Sequence, residues 1–254
     1  MSRRTWAVVT GASDGIGRAL AIELAKTGRS LILAARNEGR LAALAAEIKN
    51  DYPVDVVVAA IDFAHPGSCD ALIELQANRD VDVLVAAAGF GSSGSFLELP
   101  ISTELEMIDV NCRAVLSLSH FYGRQFLQRG RGTLVLFSSL VAFQGVANAA
   151  TYAATKAFVQ TFAEGLRIEL GSKAHVIAVA PGPTITGLGR RAGMTMKFGD
   201  HPETVARSII GHIHSAGTLR PSALSRSLHW SLDDPAISET RGFLTFARAS
   251  GDVG

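Results

Sequence analysis

Apolar residues along the chain fall into short continuous runs, each followed by a stretch in which they recur every three or four positions. Residues 6–9 form such a run; a Gly/Ser turn follows, and Ile16, Ala19, Leu20 and Leu24 then mark one face of a helix. The unit repeats. Residues 31–34 precede a helical pattern over 38–49, residues 54–61 precede one over 68–76, and residues 83–87 precede a longer one that runs past Glu104. Residues 133–137 then lead to a helix over about 151–170, and residues 176–180 close the series. These strands are apolar throughout instead of alternating, so both faces of their sheet must be covered. With helices between successive strands, the pattern predicts an α/β fold with a doubly wound parallel sheet and helices on both faces.

The chain has 254 residues, 48% hydrophobic and 19% charged, enough for one domain with a large core. It has no repeat beyond the strand–helix unit, no low-complexity tract and no dividing linker, so 1–254 read as a single domain. After Pro181 the periodicity loosens into a Gly-, Met- and Arg-rich stretch, and the segment from about 218 to 254 carries few periodic apolar positions. Lys and Arg number 24 against 23 Asp and Glu, a net charge of +1, so no bulk field points to nucleic acid or an anionic membrane. The longest apolar runs fall far short of the roughly 18–20 residues needed to span a bilayer. The run after Arg3 and Arg4 is too short for a signal peptide, and a cytoplasmic location is expected. Cys69 and Cys112 fit neither a disulfide framework nor a metal site. His212 and His214, two apart on a predicted helix, should face nearly opposite ways, and the other histidines show no ligand spacing, so no metal is expected.

Candidate chemistry begins in the first turn, Thr10-Gly11-Ala12-Ser13-Asp14-Gly15-Ile16-Gly17. Glycines there permit a tight turn and a close backbone approach, while the following helix offers unpaired N–H groups and its positive dipole end to a pyrophosphate. The predicted sheet is therefore Rossmann-like, with Gly11, Ser13, Gly15, Ile16 and Gly17 as candidate dinucleotide contacts. Asp14 in the same loop contributes nothing to a phosphate.

Further along, Tyr152-Ala153-Ala154-Thr155-Lys156 places a phenol and an ammonium four residues apart on one helix face. Ser139 lies thirteen residues upstream, just beyond a strand end where ligand crevices form, and Asn111 sits in the preceding helix. The Gly-x-x-x-Gly-x-Gly turn with its Thr, and these four residues in order and approximate spacing, resemble the short-chain dehydrogenase/reductase family over about residues 10–186. The resemblance implies a nicotinamide-dependent oxidoreductase acting on a carbonyl or secondary alcohol. Tyr152 is then the general acid, giving its proton to the developing alkoxide. Ser139 orients the carbonyl oxygen, with Ser138 as its nearest rival. Lys156 holds the nicotinamide ribose and, with the oxidised nicotinamide, favours the phenolate. Asn111 helps to hold a water that relays protons from Lys156.

An acid at the end of the second strand would bind the adenosine ribose of NAD; here Ala35 is followed by Arg36, whose guanidinium can bind a 2′-phosphate. NADP(H) is therefore expected, with NAD(H) possible should Arg36 be only a solvated cation. Asp62, with Phe63 beside it, resembles the family acid at the adenine amine, although a helix cap near Pro66 would use the same residue. Pro181, Gly182, Thr184 and Thr186 resemble the segment around the nicotinamide amide, or make a rigid turn.

The chain departs from the family in two places. Where the family usually reads Asn-Asn-Ala-Gly this chain has Ala86-Ala87-Ala88-Gly89, so Ala88 and Gly89 can still admit adenosine while the Asn side-chain hydrogen bonds must be replaced or forgone. The family's tetramer-forming C-terminal segment is not recognisable around 218–232. The resemblance thus implies a homo-oligomer, a dimer through the helices around Asn111 and Tyr152 more than a tetramer. Residues of about 187–200 occupy the place of the substrate lid, with Met194, Met196 and Phe198 suited to an apolar cover and Arg190, Arg191 and Lys197 either anion contacts or solvated charges. The small-molecule substrate is not decided. The alternative is a catalytically silent dinucleotide-sensing or interaction protein on the same fold.

Overall fold

The computed structural model describes residues 5–186, 199–223, 225 and 226. Seven strands form one parallel sheet: β1 (Trp6–Thr10), β2 (Ser30–Ala35), β3 (Val56–Ala60), β4 (Val81–Ala86), β5 (Thr133–Phe137), β6 (His175–Val179) and β7 (Gly217–Leu219). Their order is β3-β2-β1-β4-β5-β6-β7. The predicted strands fall within one or two residues of these bounds. The chain winds outward from β1 in one direction and from β4 in the other, and that reversal opens a crevice above the carboxyl ends of the central strands.

Each strand sends alternate side chains to opposite layers, and both layers are apolar. On one face Val8, Ile32 and Leu134 pack in a cluster with Leu72, Tyr122, Phe126 and Val159. These come from α3 (Ser68–Glu74), α5 (Ala114–Arg129) and α6 (Ala150–Leu170). On the other face Val9, Leu33 and Val135 pack with Leu20, Leu24, Leu44 and Ile209, from α1 (Gly15–Lys26), α2 (Glu38–Asp51) and α7 (Pro202–Gly211). This two-sided burial is why the strands lack alternation.

Three features were not foreseen. The first is β7, which pairs with β6 through Ile177–Gly217 to Val179–Leu219. Three partly exposed residues give no periodic signal. The second is the form of the long helix before β5: α4 (Ile101–Ile108) passes into α5 through a π-helical segment, Asp109–Arg113. Such an extra residue in the helical turn re-aims side chains and recurs at functional sites. The third corrects the reading of His212 and His214. α7 ends at Gly211, so His212 is its C-cap, with Nδ1 2.8 Å from the Ser208 carbonyl oxygen. His214 lies beyond the helix, edge-on to His175 with ring centroids 6.4 Å apart. No metal-binding cluster occurs among the described residues.

Candidate active site

A cleft of about 490 Å³ runs along the carboxyl ends of the strands, from Arg36 at one end to Tyr152 and Lys156 at the other. It brings together most of the predicted cofactor contacts: Gly11, Ser13, Gly15, Ile16, Gly17, Arg36, Asp62, Phe63, Ala88, Gly89, Pro181 and Thr186 all line it. Gly11 has φ +67°, and a Cβ there would lie 2.7 Å from the Ala87 carbonyl oxygen; a Cβ on Gly17 would lie 2.4 Å from that of Gly11. The loop therefore folds this tightly only with glycine at both places. Asp14, an acid where a phosphate is expected, caps α1 by accepting from the Gly15 N–H at 2.7 Å, and its second oxygen pairs with Arg40 at 3.2 Å.

Gly182 and Thr184 do not line the cleft. The Thr184 hydroxyl donates to the Gly182 carbonyl at 3.1 Å, and Thr184 bridges to Asp200, so this pair builds the turn that carries Thr186. Of the predicted lid, 187–198 lie outside the described residues, as does most of the C-terminal segment.

The end of β4 is held without Asn side chains. Thr10 of β1 donates to the Val85 carbonyl at 3.4 Å and accepts from the Ala88 N–H at 3.0 Å, tying the end of β4 to its neighbour. Two residues on, Asn111 holds Phe90 from both sides: its Oδ1 accepts from the Phe90 N–H at 3.1 Å and its Nδ2 donates to the Phe90 carbonyl at 2.9 Å. The remaining amide hydrogen goes to Thr155 Oγ1 at 3.1 Å. Asn111 therefore joins the β4 loop, the π segment and α6, and both side-chain donors are already used.

At this end the two serines part company. The Ser138 hydroxyl is buried and donates to the Lys156 carbonyl at 3.2 Å. Ser138 lines the cleft, whereas Ser139 accepts from the Val141 N–H at 3.4 Å and acts on the Tyr152 phenol, favouring its ionised form. Burial raises the phenol's pKa to about 12, and the bond from Ser139 only partly offsets it. Burial lowers the Lys156 ammonium to about 8. Lys156 was expected to depress the phenol, but Nζ donates to the Phe137 carbonyl at 2.9 Å and stands 5.7 Å from the Tyr152 ring centroid. In this geometry desolvation outweighs its charge. Gly91, unremarked in the sequence, packs flat against the phenol: a Cβ there would lie 3.1 Å from the ring.

The opposite end is wet and ionic. Arg36 Nη1 is 3.2 Å from Glu106 Oε1 and 3.7 Å from Asp62 Oδ2, all three being partly exposed. Asp62 caps no helix, since α3 begins at Ser68 with Gly67 as its cap; its Oδ1 accepts from the Ala64 N–H at 3.1 Å in a local turn. Arg40, Asn37 and Glu106 escaped sequence reading. Arg40 lies in the first turn of α2, four residues after Arg36, and that nearness could have flagged it; Glu106 arrives from a distant helix and carried no local signal.

A fold and cleft of this kind define a dinucleotide-binding oxidoreductase scaffold, and comparison with known proteins agrees. The family model for short chain dehydrogenases matches residues 5–196. A very-long-chain 3-oxoacyl-CoA reductase of Aspergillus terreus is 31% identical over 233 residues, covering 89% of this chain and 66% of that protein. The chain thus spans just under two thirds of that relative's length. A 7β-hydroxysteroid dehydrogenase of Clostridium sardiniense is 32% identical over 182 residues, 71% of this chain and 70% of the relative. Among solved structures, a short-chain dehydrogenase from Sphingobium yanoikuyae in complex with NADPH superposes with a TM-score of 0.81 at 28% identity, covering 95% of this chain and 98% of that one. The chain belongs to the short-chain dehydrogenase/reductase family of oxidoreductases.

Proposed function

We propose that the protein is an NADPH-dependent reductase of a lipophilic ketone or aldehyde, with Tyr152 as general acid. The observation that carries this reading is the Tyr152–Lys156 pair, with Ser139 beside the phenol, at the buried end of a cleft whose far end holds Arg36 and Arg40.

The cleft fits the cofactor. The tight Gly11–Gly17 turn would seat the pyrophosphate at the α1 N-terminus, Arg36 and Arg40 would meet the 2′-phosphate, and Asp62 would meet the adenine. Lys156 would hold the nicotinamide ribose, with Thr186 beside the nicotinamide. When bound, NADPH supplies the hydride. Ser139 orients the carbonyl oxygen against the phenol, and Tyr152 gives its proton to that oxygen as negative charge develops there. Burial keeps the phenol protonated across the physiological range, which suits reduction. Lys156, charged below about pH 8, stabilises the phenolate left behind. Asn111 fixes the β4 loop and α6 relative to one another. Its spent donors leave any contact with a relay water to the backbone of the π segment.

Two features support a lipophilic substrate. Phe143, on the 3₁₀ turn that begins just after Ser139, and Ile185, beside Thr186, are both solvent-exposed apolar residues. Two of the relatives are a 3-oxoacyl-CoA reductase and a hydroxysteroid dehydrogenase. Exposed Leu105, Ile108, Leu116 and Phe158 on α4, α5 and α6 support a homodimer through these helices, which sedimentation would test.

The deciding experiment is a fluorescence titration with NADPH and NADH, carried into turnover on long-chain 3-oxoacyl thioesters, oxosteroids and simple aldehydes with Tyr152→Phe as control. NADPH binding ahead of NADH, with turnover that Tyr152→Phe abolishes, is the expected result. Binding without turnover on any substrate would favour a dinucleotide-sensing role.

A further inference from the structure

The sheet carries a second cavity at its opposite edge, below the amino ends of β4, β5 and β6. It measures about 200 Å³, and its charged and titratable lining is Arg29, Asp82, Arg131, Lys173, His175 and His214. Three permanent cations and two imidazoles therefore surround one carboxylate. That carboxylate is already engaged: Arg29 Nε lies 3.0 and 3.3 Å from the two Asp82 oxygens, and its Nη2 lies 3.2 Å from one of them. Arg131 leans outward to Asp80 at 2.5 Å. Among the described residues, Lys173, His175 and His214 make no side-chain hydrogen bond or ion pair. Their positions are nonetheless fixed by the fold. Lys173 sits in the turn after α6, its N–H bonded to the Leu170 carbonyl; His175 opens β6; His214 rests edge-on against His175.

An ammonium without a counter-charge and two imidazoles, gathered in one concave site with a clamped guanidinium, form an anion cradle and would repel a metal ion. We propose that this basal cavity binds a phosphoryl or sulfuryl dianion, free or as the head of a larger molecule. Lys173 supplies the ion pair, and His175 and His214 supply N–H donors. Arg29, Asp82, Arg131 and Lys173 are the charged groups that face them.

The test is a sulfate titration at constant ionic strength, followed by the imidazole resonances of His175 and His214. The expected result is saturable shifts, with affinity about tenfold weaker in Lys173→Gln. Arg36→Ala should leave these shifts unchanged, because the dinucleotide cleft lies at the other end of the strands. Inorganic phosphate should compete with sulfate, and glucose 6-phosphate competing equally well would mark the ligand as the head of a larger ester. Shifts that grow linearly with salt, persist undiminished in Lys173→Gln, or vanish in Arg36→Ala would overturn the proposal.

Discussion

The two ends of the dinucleotide cleft solve opposite electrostatic problems. Around Tyr152 and Lys156 the groups are buried, partners are few, and both pKa values move far from their ordinary positions. Around Arg36 and Arg40 the groups are exposed, every cation has a carboxylate within 4 Å, and neighbouring charges cancel in water. On the proposed function, desolvation would make each group at the dry end weigh heavily on the chemistry, whereas exposure would make each group at the wet end a modest contributor to recognition. Substitutions at the two ends should therefore differ in size and in the quantity they change.

The largest effect belongs to Tyr152→Phe. It removes one oxygen from a ring packed against Gly91, so the fold and NADPH affinity should persist within about twofold while turnover falls by about 10³-fold or more, as loss of a positioned acid does. Lys156→Gln comes next, with an expected loss of about 10²-fold in turnover. Its pH dependence is the more telling readout. The buried ammonium is charged below about pH 8 and neutral above, and the phenol stays protonated to about pH 12. Reduction should be level at low pH and decline above about pH 8, and Lys156→Gln should flatten that limb. A profile that keeps its limb in Lys156→Gln would assign the titration to another group.

Legibility in the sequence followed the same division between local and distant causes. β1, β2, β4, β5 and β6 could be read because burial on both faces leaves continuous apolar runs. The glycine turn and the Tyr152–Lys156 pair are set by local spacing, and both stand where expected. What could not be read depends on contacts between remote segments. Thr10 ties the end of β4 only because β1 lies beside β4. Asn111 owes its aim to a π turn that leaves no signature in composition, and β7 exists because β6 offers an edge, three residues being too few for a pattern. The two serines after β5 were not separable by pattern either: the turn sends the Ser138 hydroxyl to the Lys156 carbonyl on α6 and sets Ser139 beside the phenol.

At the wet end, Arg36→Ala should weaken NADPH by about tenfold or more and leave NADH within about twofold, the loss of one charge-assisted phosphate contact. The preference for NADPH should also shrink as salt rises, because the pair is exposed. An equal loss for both cofactors would remove Arg36 from the 2′-phosphate and leave Arg40 as the discriminating cation.

The smallest and sharpest prediction concerns Glu106. Its Oε1 lies 3.2 Å from the Arg36 guanidinium that a 2′-phosphate would use, with Asp62 at 3.7 Å. Two effects oppose each other: the carboxylate orients Arg36, but it also repels a dianion and occupies one of its donors. Arg36 retains Asp62 as a second tether, so orientation survives the loss of Glu106 while repulsion falls. Glu106→Gln, which keeps the side chain's size, should therefore tighten NADPH by about two- to fivefold, the scale of an exposed ion pair, and leave NADH unchanged. The gain should fade at high salt. A weaker NADPH complex in Glu106→Gln would instead mean that orientation outweighs repulsion, making the wet end preorganised in the same sense as the dry one.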